Sequence, residues 1–281
     1  MPGVSAAALD HVLRTSGPEV IAHRGSSAEK PEHTLAAYLR AIEQGADALE
    51  CDVRLTADNH LVCVHDRRVN RTSNGRGLVS TLELAHLEHL DWGSWKATAP
   101  DARDPETPDR DAGRLLTLRR LLDAVRDCGR PVRVVIETKH PTRYAGLVER
   151  RLVELLDTFG WAGSDSPARI MSFSPVALTR VKKLAPALEV VLLIDRQYSW
   201  QMATSVLGPG WIAGPGIDLL RENPRLGRRL RRRDRRIHVW TVNTPEDLDL
   251  CARLGVEAVI TDDPGMALDH FDGPSRYVSP D

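Results

Sequence analysis

The chain has 281 residues, a length that suits either two average domains or a single α/β barrel. Hydrophobic residues make up 42% of the chain and charged residues 27%, which excludes intrinsic disorder of the whole chain. The 38 lysines and arginines nearly balance the 39 aspartates and glutamates, so the net charge is −1. No global field therefore favours nucleic acid or an anionic membrane, and any affinity for polyanions must be local.

The cysteines and the apolar runs indicate a cellular compartment. The four cysteines form no C-x-x-C pair and no tight group with histidine, so we interpret them as reduced thiols: Cys51, Cys63, Cys128 and Cys251. The first residues lack the basic and apolar parts of a signal peptide, and no stretch of about 18 apolar residues occurs. These features predict a soluble, cytoplasmic protein without stable membrane insertion.

Short apolar runs of strand length alternate with longer stretches of helical spacing. Strands are predicted at 19–23, 48–55, 132–139, 169–173, 190–195, 211–217, 237–242 and 258–261. Helices are predicted at 34–42, 118–128, 144–159, 175–184, 224–233 and 245–254. This pattern predicts an α/β fold, a (β/α)₈ TIM barrel, because parallel strands need crossover helices that cover the outside. A doubly wound open sheet is the alternative.

The alternation breaks at about 67–116, where residues 97–113 are rich in proline, aspartate and arginine. Such a composition is typical of loops, so we predict an insertion on the C-terminal side of a strand. Residues 270–281 are predicted to be a fraying tail. We expect residues 1–281 to form one barrel domain that carries this insertion.

Acidic side chains alternate along two of the predicted strands. Glu50 and Asp52 share the face opposite Cys51 and are expected to point into the barrel, as are Glu137 and Lys139 in the third strand. Buried carboxylates this close raise the pKa of one of them unless a cation lies between them. Three carboxylates without a histidine or cysteine cluster suit Mg²⁺ or Ca²⁺, while structural ion pairs with arginines are the alternative.

Two histidines follow predicted β segments. His23 and Arg24 end the first strand, where barrel active sites are built, and Gly25 lets the backbone approach a ligand closely. His65 follows another short apolar run. Two imidazoles can act as acid and base near neutral pH, while Arg24 and Lys139 suit a phosphate. Together with the acids, these residues predict phosphate ester chemistry.

Six fragments, each weak alone, form a specific combination through their order and spacing: His23-Arg24-Gly25, Pro31-Glu32-His33-Thr34, Glu50-Cys51-Asp52, His65-Asp66, Glu137-Thr138-Lys139 and Trp240-Thr241-Val242-Asn243. Over about residues 20–265 the chain resembles the glycerophosphodiester phosphodiesterase family. The resemblance implies a (β/α)₈ barrel with a small insertion after the second barrel strand, in agreement with the break at 67–116.

The resemblance also implies an activity and a site. The activity is metal-dependent hydrolysis of small-molecule glycerophosphodiesters, such as glycerophosphocholine, to an alcohol and sn-glycerol 3-phosphate. In the family mechanism the glycerol 2-hydroxyl attacks phosphorus and the cyclic phosphate is then hydrolysed. The implied residues are Glu50, Asp52 and Glu137 for a divalent cation, Mg²⁺ or Ca²⁺, His23 and His65 as the acid/base pair, Arg24 and Lys139 for the phosphate, and Phe173 and Trp240 as pocket lining. For Phe173 and Trp240, core packing is the alternative.

One position departs from the family pattern. His33 stands where many members have asparagine in a Pro-Glu-Asn-Thr motif. The alternative to a functional role for Glu32 and His33 is the first turn of a helix, with His33 or Thr34 near the cap.

Seven arginines lie within residues 228–236, a density that suits nucleic acid. The run falls on a predicted outer helix where Leu226 and Leu230 supply the apolar anchor, so we interpret it as a solvated face and expect no nucleic-acid partner. A nucleic-acid-binding protein is therefore a distant alternative. A nearer alternative is phospholipase D-like activity on lysophospholipids, although the charged insertion disfavours an entrance for an acyl chain.

Overall fold

The computed structural model describes residues 17–96, 113–140, 146–195 and 207–273. The strands are β1 (Glu19–His23), β2 (Ala48–Leu55), β3 (Leu61–Cys63), β4 (Arg133–Thr138), β5 (Ala168–Ser172), β6 (Glu189–Ile194), β7 (Ile212–Pro215), β8 (His238–Val239) and β9 (Ala258–Thr261). The helices are α1 (Leu35–Glu43), α2 (Leu84–Glu88), α3 (Leu118–Asp127), α4 (Leu147–Thr158), α5 (Pro175–Leu184), α6 (Ile217–Glu222), α7 (Pro224–Arg231), α8 (Pro245–Leu254) and α9 (Pro264–Asp272). Within the described ranges, no helix is both long and apolar enough to cross a membrane.

The strands form a closed parallel barrel. Hydrogen bonding connects them in the order β7-β6-β5-β4-β2-β1-β9-β8, and parallel bridges from Ala213 to Ile237 and from Gly216 to Trp240 join the two ends. Only β3 lies off this path, paired antiparallel with β2 at the start of the insertion. The predicted (β/α)₈ TIM barrel with an insertion after its second strand is confirmed, and its closure excludes the open sheet.

Each predicted barrel strand has an observed counterpart, and the differences lie at the ends. The predicted strand 211–217 is too long, because Ile217 already begins α6 after Gly216. The predicted strand 237–242 shortens to the two residues of β8. The prediction of a fraying tail at 270–281 is wrong for 270–272, which belong to α9. Residues 274–281 of that tail, 97–112 of the predicted loop and 144–145 of a predicted helix lie outside the described residues. The predicted reduced cysteines are confirmed as free thiols: Cys51, Cys63, Cys128 and Cys251.

Alternation along the strands separates an outer core from an inner one. Outward side chains of the strands pack against the helices, whereas the inward side chains fill the barrel with a small apolar cluster. That inner cluster contains Ile21, Ala48, Val135, Met171, Val191, Leu193, Ile212, Ala258 and Ile260. A third cluster lies within the insertion, around Val69, Leu87 and Trp92. Apolar side chains therefore fill the middle of the barrel, and its charged side chains lie at the two ends.

An ion network closes the amino-terminal end of the barrel. The guanidinium of Arg169 lies 2.6 Å from the Glu19 carboxylate and 2.9 Å from that of Glu189. Arg236 pairs with Glu257 at 2.6 Å and also contacts Glu189. These mutually neutralised charges fit the structural role of that end of the fold.

The arginine run lies on α7 and its exit. Leu226 and Leu230 are buried, as the sequence predicts, and the side chains of 228, 229 and 231–233 are exposed. The exit is tied back to the barrel, because Arg235 donates a 2.8 Å hydrogen bond to the carbonyl of Gly208. The absence of a nucleic-acid partner stays a prediction.

A tight turn after β1 brings the first loop against α1. Arg24 and Gly25 both have positive φ, of 59° and 83°. A Cβ placed on Gly25 would lie 2.6 Å from the backbone carbonyl carbon of Ala37. Glycine is therefore required here by both conformation and space, and this turn fixes the direction in which Arg24 enters the barrel mouth.

We expect Gly25→Ala to lower the free energy of unfolding by about 2–4 kcal/mol, because overpacking against α1 adds to the strain of a side chain at positive φ. Urea denaturation followed by circular dichroism would measure this. Gly163→Ala is the matched control, since a Cβ there meets no atom within 4 Å. Equal stability of the two variants would contradict the steric explanation.

Candidate active site

Strand register brings the predicted acidic residues together at the carboxyl end of the barrel. His23 on β1 is in register with Glu50 on β2, and Asp52 is in register with Glu137 on β4. The three carboxylates are buried, and each has an oxygen within 4.8 Å of an oxygen on the others. Parallel pairing and alternation therefore turn residues far apart in sequence into one acidic cluster.

Asp52 is surrounded by three nitrogen-bearing side chains. Arg24 Nε lies 3.1 Å and His33 Nε2 2.9 Å from Oδ2, while Lys139 Nζ lies 2.9 Å from Oδ1. Burial alone would raise the pKa of Asp52, but Lys139, the His33 hydrogen bond and Arg24 outweigh it and hold that pKa well below its usual range. Asp52 is thus the ionised centre of the cluster.

The other two carboxyl groups have fewer compensating partners than Asp52, although Lys139 Nζ also lies 2.8 Å from Glu137 Oε1. Burial, and then the charge of Asp52, raise the pKa of Glu50 well above its ordinary value and that of Glu137 to about 8. Glu50 Oε2 accepts a 3.1 Å hydrogen bond from the backbone N–H of Arg24, but its buried Oε1 has no hydrogen-bond partner among the described residues. Three buried carboxyl groups, two of them with raised pKa values, and an unsatisfied oxygen fit a hard divalent cation.

His23 is oriented by a carboxylate that the sequence analysis did not single out. Its Nδ1 lies 2.6 Å from Asp262 Oδ1, and its Nε2 lies 3.9 Å from Glu50 Oε2. Asp262 also accepts hydrogen bonds from Ser27 Oγ at 3.0 Å and Asn243 Nδ2 at 2.6 Å. Although burial opposes it, the hydrogen bond with His23 and these neighbours lower the pKa of Asp262 to about 2. The resulting carboxylate holds the ring with Nε2 toward the acidic cluster.

His65 has a similar partner in the next residue. Its Nδ1 lies 2.7 Å from Asp66 Oδ1. Burial lowers the pKa of His65 to about 4, and the positive charges of Lys139 and Arg24 reinforce this shift against the opposing effect of Asp52. The ring is therefore neutral near pH 7 and able to accept a proton.

The insertion is tied to the barrel mouth by ion pairs. Arg71 donates two hydrogen bonds to the Glu32 carboxylate, at 2.7 and 2.8 Å, and a third to Asp66 Oδ2 at 2.7 Å. Lys96 donates to the carbonyl of Ser27. These contacts hold His65, which lies at the start of the insertion, beside residues of the barrel.

Phe173 and Trp240 lie together above the apolar interior. Their rings meet edge to face with centroids 5.4 Å apart, and Trp240 Nε1 donates to the carbonyl of Gly214 at 2.7 Å. A cavity of about 510 Å³ opens beside Trp240, lined also by Asp218 and Asn243. Both rings therefore pack on the apolar interior, and Trp240 also faces an open space.

The sequence analysis missed Asp262 and Arg71, and the sequence carried a signal for only one of them. Asp262 continues the inward alternation of Ala258 and Ile260 by one step past β9, so strand periodicity carried a signal for it. Arg71 carried none, because its partner Glu32 is 39 residues away in another loop.

Comparison with known proteins places the chain among phosphodiesterases. Residues 23–266 match the model of the glycerophosphoryl diester phosphodiesterase family. The chain is 46% identical over 262 residues to "Probable glycerophosphodiester phosphodiesterase 1" of Mycobacterium tuberculosis, covering 91% of this chain and 93% of that protein. It is 32% identical over 269 residues to the glycerophosphodiester phosphodiesterase of Bacillus subtilis, covering 94% and 89%.

Solved structures are similar to the chain as well. A phosphodiesterase from Oleispira antarctica, in complex with the product sn-glycerol-3-phosphate, superposes with a TM-score of 0.75 at 25% identity, covering 95% of this chain and 99% of the other. A glycerophosphodiester phosphodiesterase from Parabacteroides distasonis gives a TM-score of 0.72 at 23% identity, covering 91% and 97%. The second likeness supports the barrel fold alone.

The burial of His65 should be visible by NMR in the metal-free protein. We expect its ring C–H resonance to titrate with a midpoint near 4, below the ordinary value of 6.5, because desolvation and two nearby cations disfavour the charged ring. Loss of the signal in His65→Gln would assign it. A midpoint at or above the ordinary value would contradict the electrostatic description of the mouth.

Proposed function

Because the chain belongs to the glycerophosphoryl diester phosphodiesterase family and is a phosphoric diester hydrolase, we propose that it cleaves glycerophosphodiesters such as glycerophosphocholine with a divalent cation. The products are the head-group alcohol and sn-glycerol 3-phosphate. The observation that carries this proposal is the buried cluster of three carboxylates bordered by Arg24 and Lys139, with two histidines beside it. The product held by the Oleispira antarctica relative supports the same chemistry.

The cation is Mg²⁺ or Ca²⁺, and its ligands are Glu50, Asp52 and Glu137. The unsatisfied Oε1 of Glu50 and the raised pKa values of Glu50 and Glu137 support this assignment. When bound, the cation supplies positive charge that stabilises the negative charge developing on the phosphoryl oxygens. The three carboxylates would hold it, and the surrounding barrel wall excludes water from their buried sides.

The phosphate is held by Arg24 and Lys139. Both side chains lie at the mouth and contact Asp52, which fixes their positions while leaving N–H groups available, since a guanidinium has five and an ammonium three. Preorganised donors of this kind stabilise transition-state charge without reorganising during the reaction. Arg24 and Lys139 thus serve binding and catalysis with the same contacts.

His23 and His65 form the acid/base pair. The nucleophile is the substrate's own glycerol 2-hydroxyl, whose proton must be removed as it attacks phosphorus, and the departing alcohol must gain a proton. The neutral ring of His65 suits the proton acceptor. His23 then takes the donor role, with its ring oriented by the Asp262 carboxylate 2.6 Å from Nδ1. Hydrolysis of the cyclic phosphate then uses the two rings in reversed roles.

The head-group alcohol leaves toward the aromatic side of the mouth. Phe173 and Trp240 present an edge-to-face pair there, next to the cavity of about 510 Å³. The ring of Trp240 gives the alcohol an apolar wall. Residues 1–281 act as one domain, in which the insertion at about 67–116 contributes the Arg71 anchor to the barrel mouth, next to His65 just before it.

The proposal predicts strict dependence on a divalent cation. Purified protein should release choline, ethanolamine or inositol from the corresponding glycerophosphodiester, lose this activity in EDTA, and regain it with Mg²⁺ or Ca²⁺, as measured by product identification. Glu50→Gln should weaken cation binding by about 10-fold or more, since it removes a charged ligand. Exposed Glu88→Gln is the control and should bind normally. Full activity in chelator would overturn the metal role, and cleavage of a lysophospholipid instead would favour the phospholipase D-like alternative.

The proposal also predicts separate losses at the two histidines. His23→Ala and His65→Ala should each reduce kcat by about 10²–10⁴-fold, the usual contribution of a general acid or base. Exposed His86→Ala serves as the control.

A 2-deoxy analogue of glycerophosphocholine should bind without turnover, because it lacks the nucleophile. Wild-type rates in either histidine variant would remove that residue from the mechanism, and rapid cleavage of the analogue would indicate direct attack by water.

A further inference from the structure

His33 occupies an unusual backbone position. Its φ is 60°, in the left-handed region, and the residue is buried. Asparagine, aspartate and histidine are enriched among the non-glycine residues that adopt this conformation. Histidine therefore suits this backbone, and an asparagine here would keep the backbone and change only what the side chain can reach.

Both nitrogens of the His33 ring have partners inside the protein. Nε2 lies 2.9 Å from Asp52 Oδ2, and Nδ1 lies 2.8 Å from the hydroxyl of Tyr38. The Tyr38 hydroxyl also lies 3.0 Å from the carbonyl oxygen of Glu50, and its single proton goes to that oxygen when Nδ1 is protonated and to Nδ1 when it is not. Tyr38 is fully buried on α1. The two side chains therefore link helix α1 to the side chain of one acidic residue and to the backbone of another.

We propose that His33 and Tyr38 are a positioning pair that fixes the Asp52 carboxylate and the Glu50 backbone for cation binding. This inference rests on the proposed cation site. Neither side chain is among the proposed cation ligands, so the pair acts through Asp52 and Glu50. The imidazole Nε2 stands farther from Cβ than either amide atom of asparagine, so histidine spans a distance between Tyr38 and Asp52 that asparagine does not.

The other partners of Asp52 cannot replace this function. Arg24 and Lys139 reach it through long side chains with several rotatable bonds, and both are needed at the mouth. The His33 ring is held at both ends and has little freedom to follow a movement of the carboxylate. Hydrogen-bond partners behind metal ligands typically contribute about 10–100-fold to metal affinity or activity.

The test compares His33→Asn, Tyr38→Phe and the double variant by isothermal titration calorimetry with Mg²⁺ and with Ca²⁺. We expect His33→Asn to weaken cation affinity by about 10–100-fold and Tyr38→Phe by less. The double variant should be little worse than His33→Asn, because Tyr38 acts on Asp52 through the ring. Saturating Mg²⁺ should restore most of the hydrolysis lost in His33→Asn.

His270→Asn is the matched control. His270 also has a carboxylate beside it, on Asp249 at 3.0 Å, but it belongs to neither group of described residues whose side chains could hold a metal ion. The variant should leave cation affinity unchanged.

Wild-type affinity in a folded His33→Asn, or strictly additive losses in the double variant, would overturn the positioning pair while leaving the proposed hydrolysis intact. If His33→Asn does not fold, Tyr38→Phe decides: weakened cation affinity supports the pair, and unchanged affinity overturns it. A wild-type protein that binds no cation would overturn the metal role itself, and the inference with it.

Discussion

The barrel mouth depends on the ionised carboxylate of Asp52, which is buried where an unpaired charge would strongly destabilise the fold. Removing one partner from a buried ion pair typically costs about 3–5 kcal/mol, because it leaves an uncompensated charge. Arg24, His33 and Lys139 each contact this carboxylate, and they come from the loop before α1 and from the end of β4. A single buried anion thereby joins segments that are distant in sequence. The same residues compensate Glu50 and Glu137 less, so burial and the charge of Asp52 raise the pKa of both, as the proposed cation site requires of its ligands before the ion binds.

Because side chains alternate along each strand, the acidic cluster lies directly above an apolar layer in the middle of the barrel. Inward positions near the amino ends of the strands carry Glu19, Arg169 and Glu189, whose charges are mutually paired. The next inward positions are apolar, and those beyond them carry the acidic cluster. The same two-residue period therefore places a stabilising network and a reactive one at opposite ends of one fold.

The parts of the site that the sequence predicted follow from this local period. Alternation alone put Glu50 and Asp52 on one face, and parallel pairing placed Glu137 beside Asp52. His33 was beyond such reasoning, because its contact depends on a positive φ immediately before the helix cap. Thr34 is the residue that caps α1, accepting a hydrogen bond from the N–H of Ala37, and this leaves His33 free to turn inward. Contacts between loops, as in the insertion, carry no periodic signal at all.

The ion network and the apolar layer behind the mouth have a kinetic consequence. With one end of the barrel closed, reactants and both products must share a single passage. In the proposed function, Arg24 and Lys139 hold the phosphate, and the alcohol lies toward Phe173 and Trp240. In that arrangement the alcohol departs when the cyclic phosphate forms, and the glycerol phosphate blocks the next molecule until it leaves. In a barrel that is open at one end only, turnover therefore depends on the concentration of the phosphorylated product.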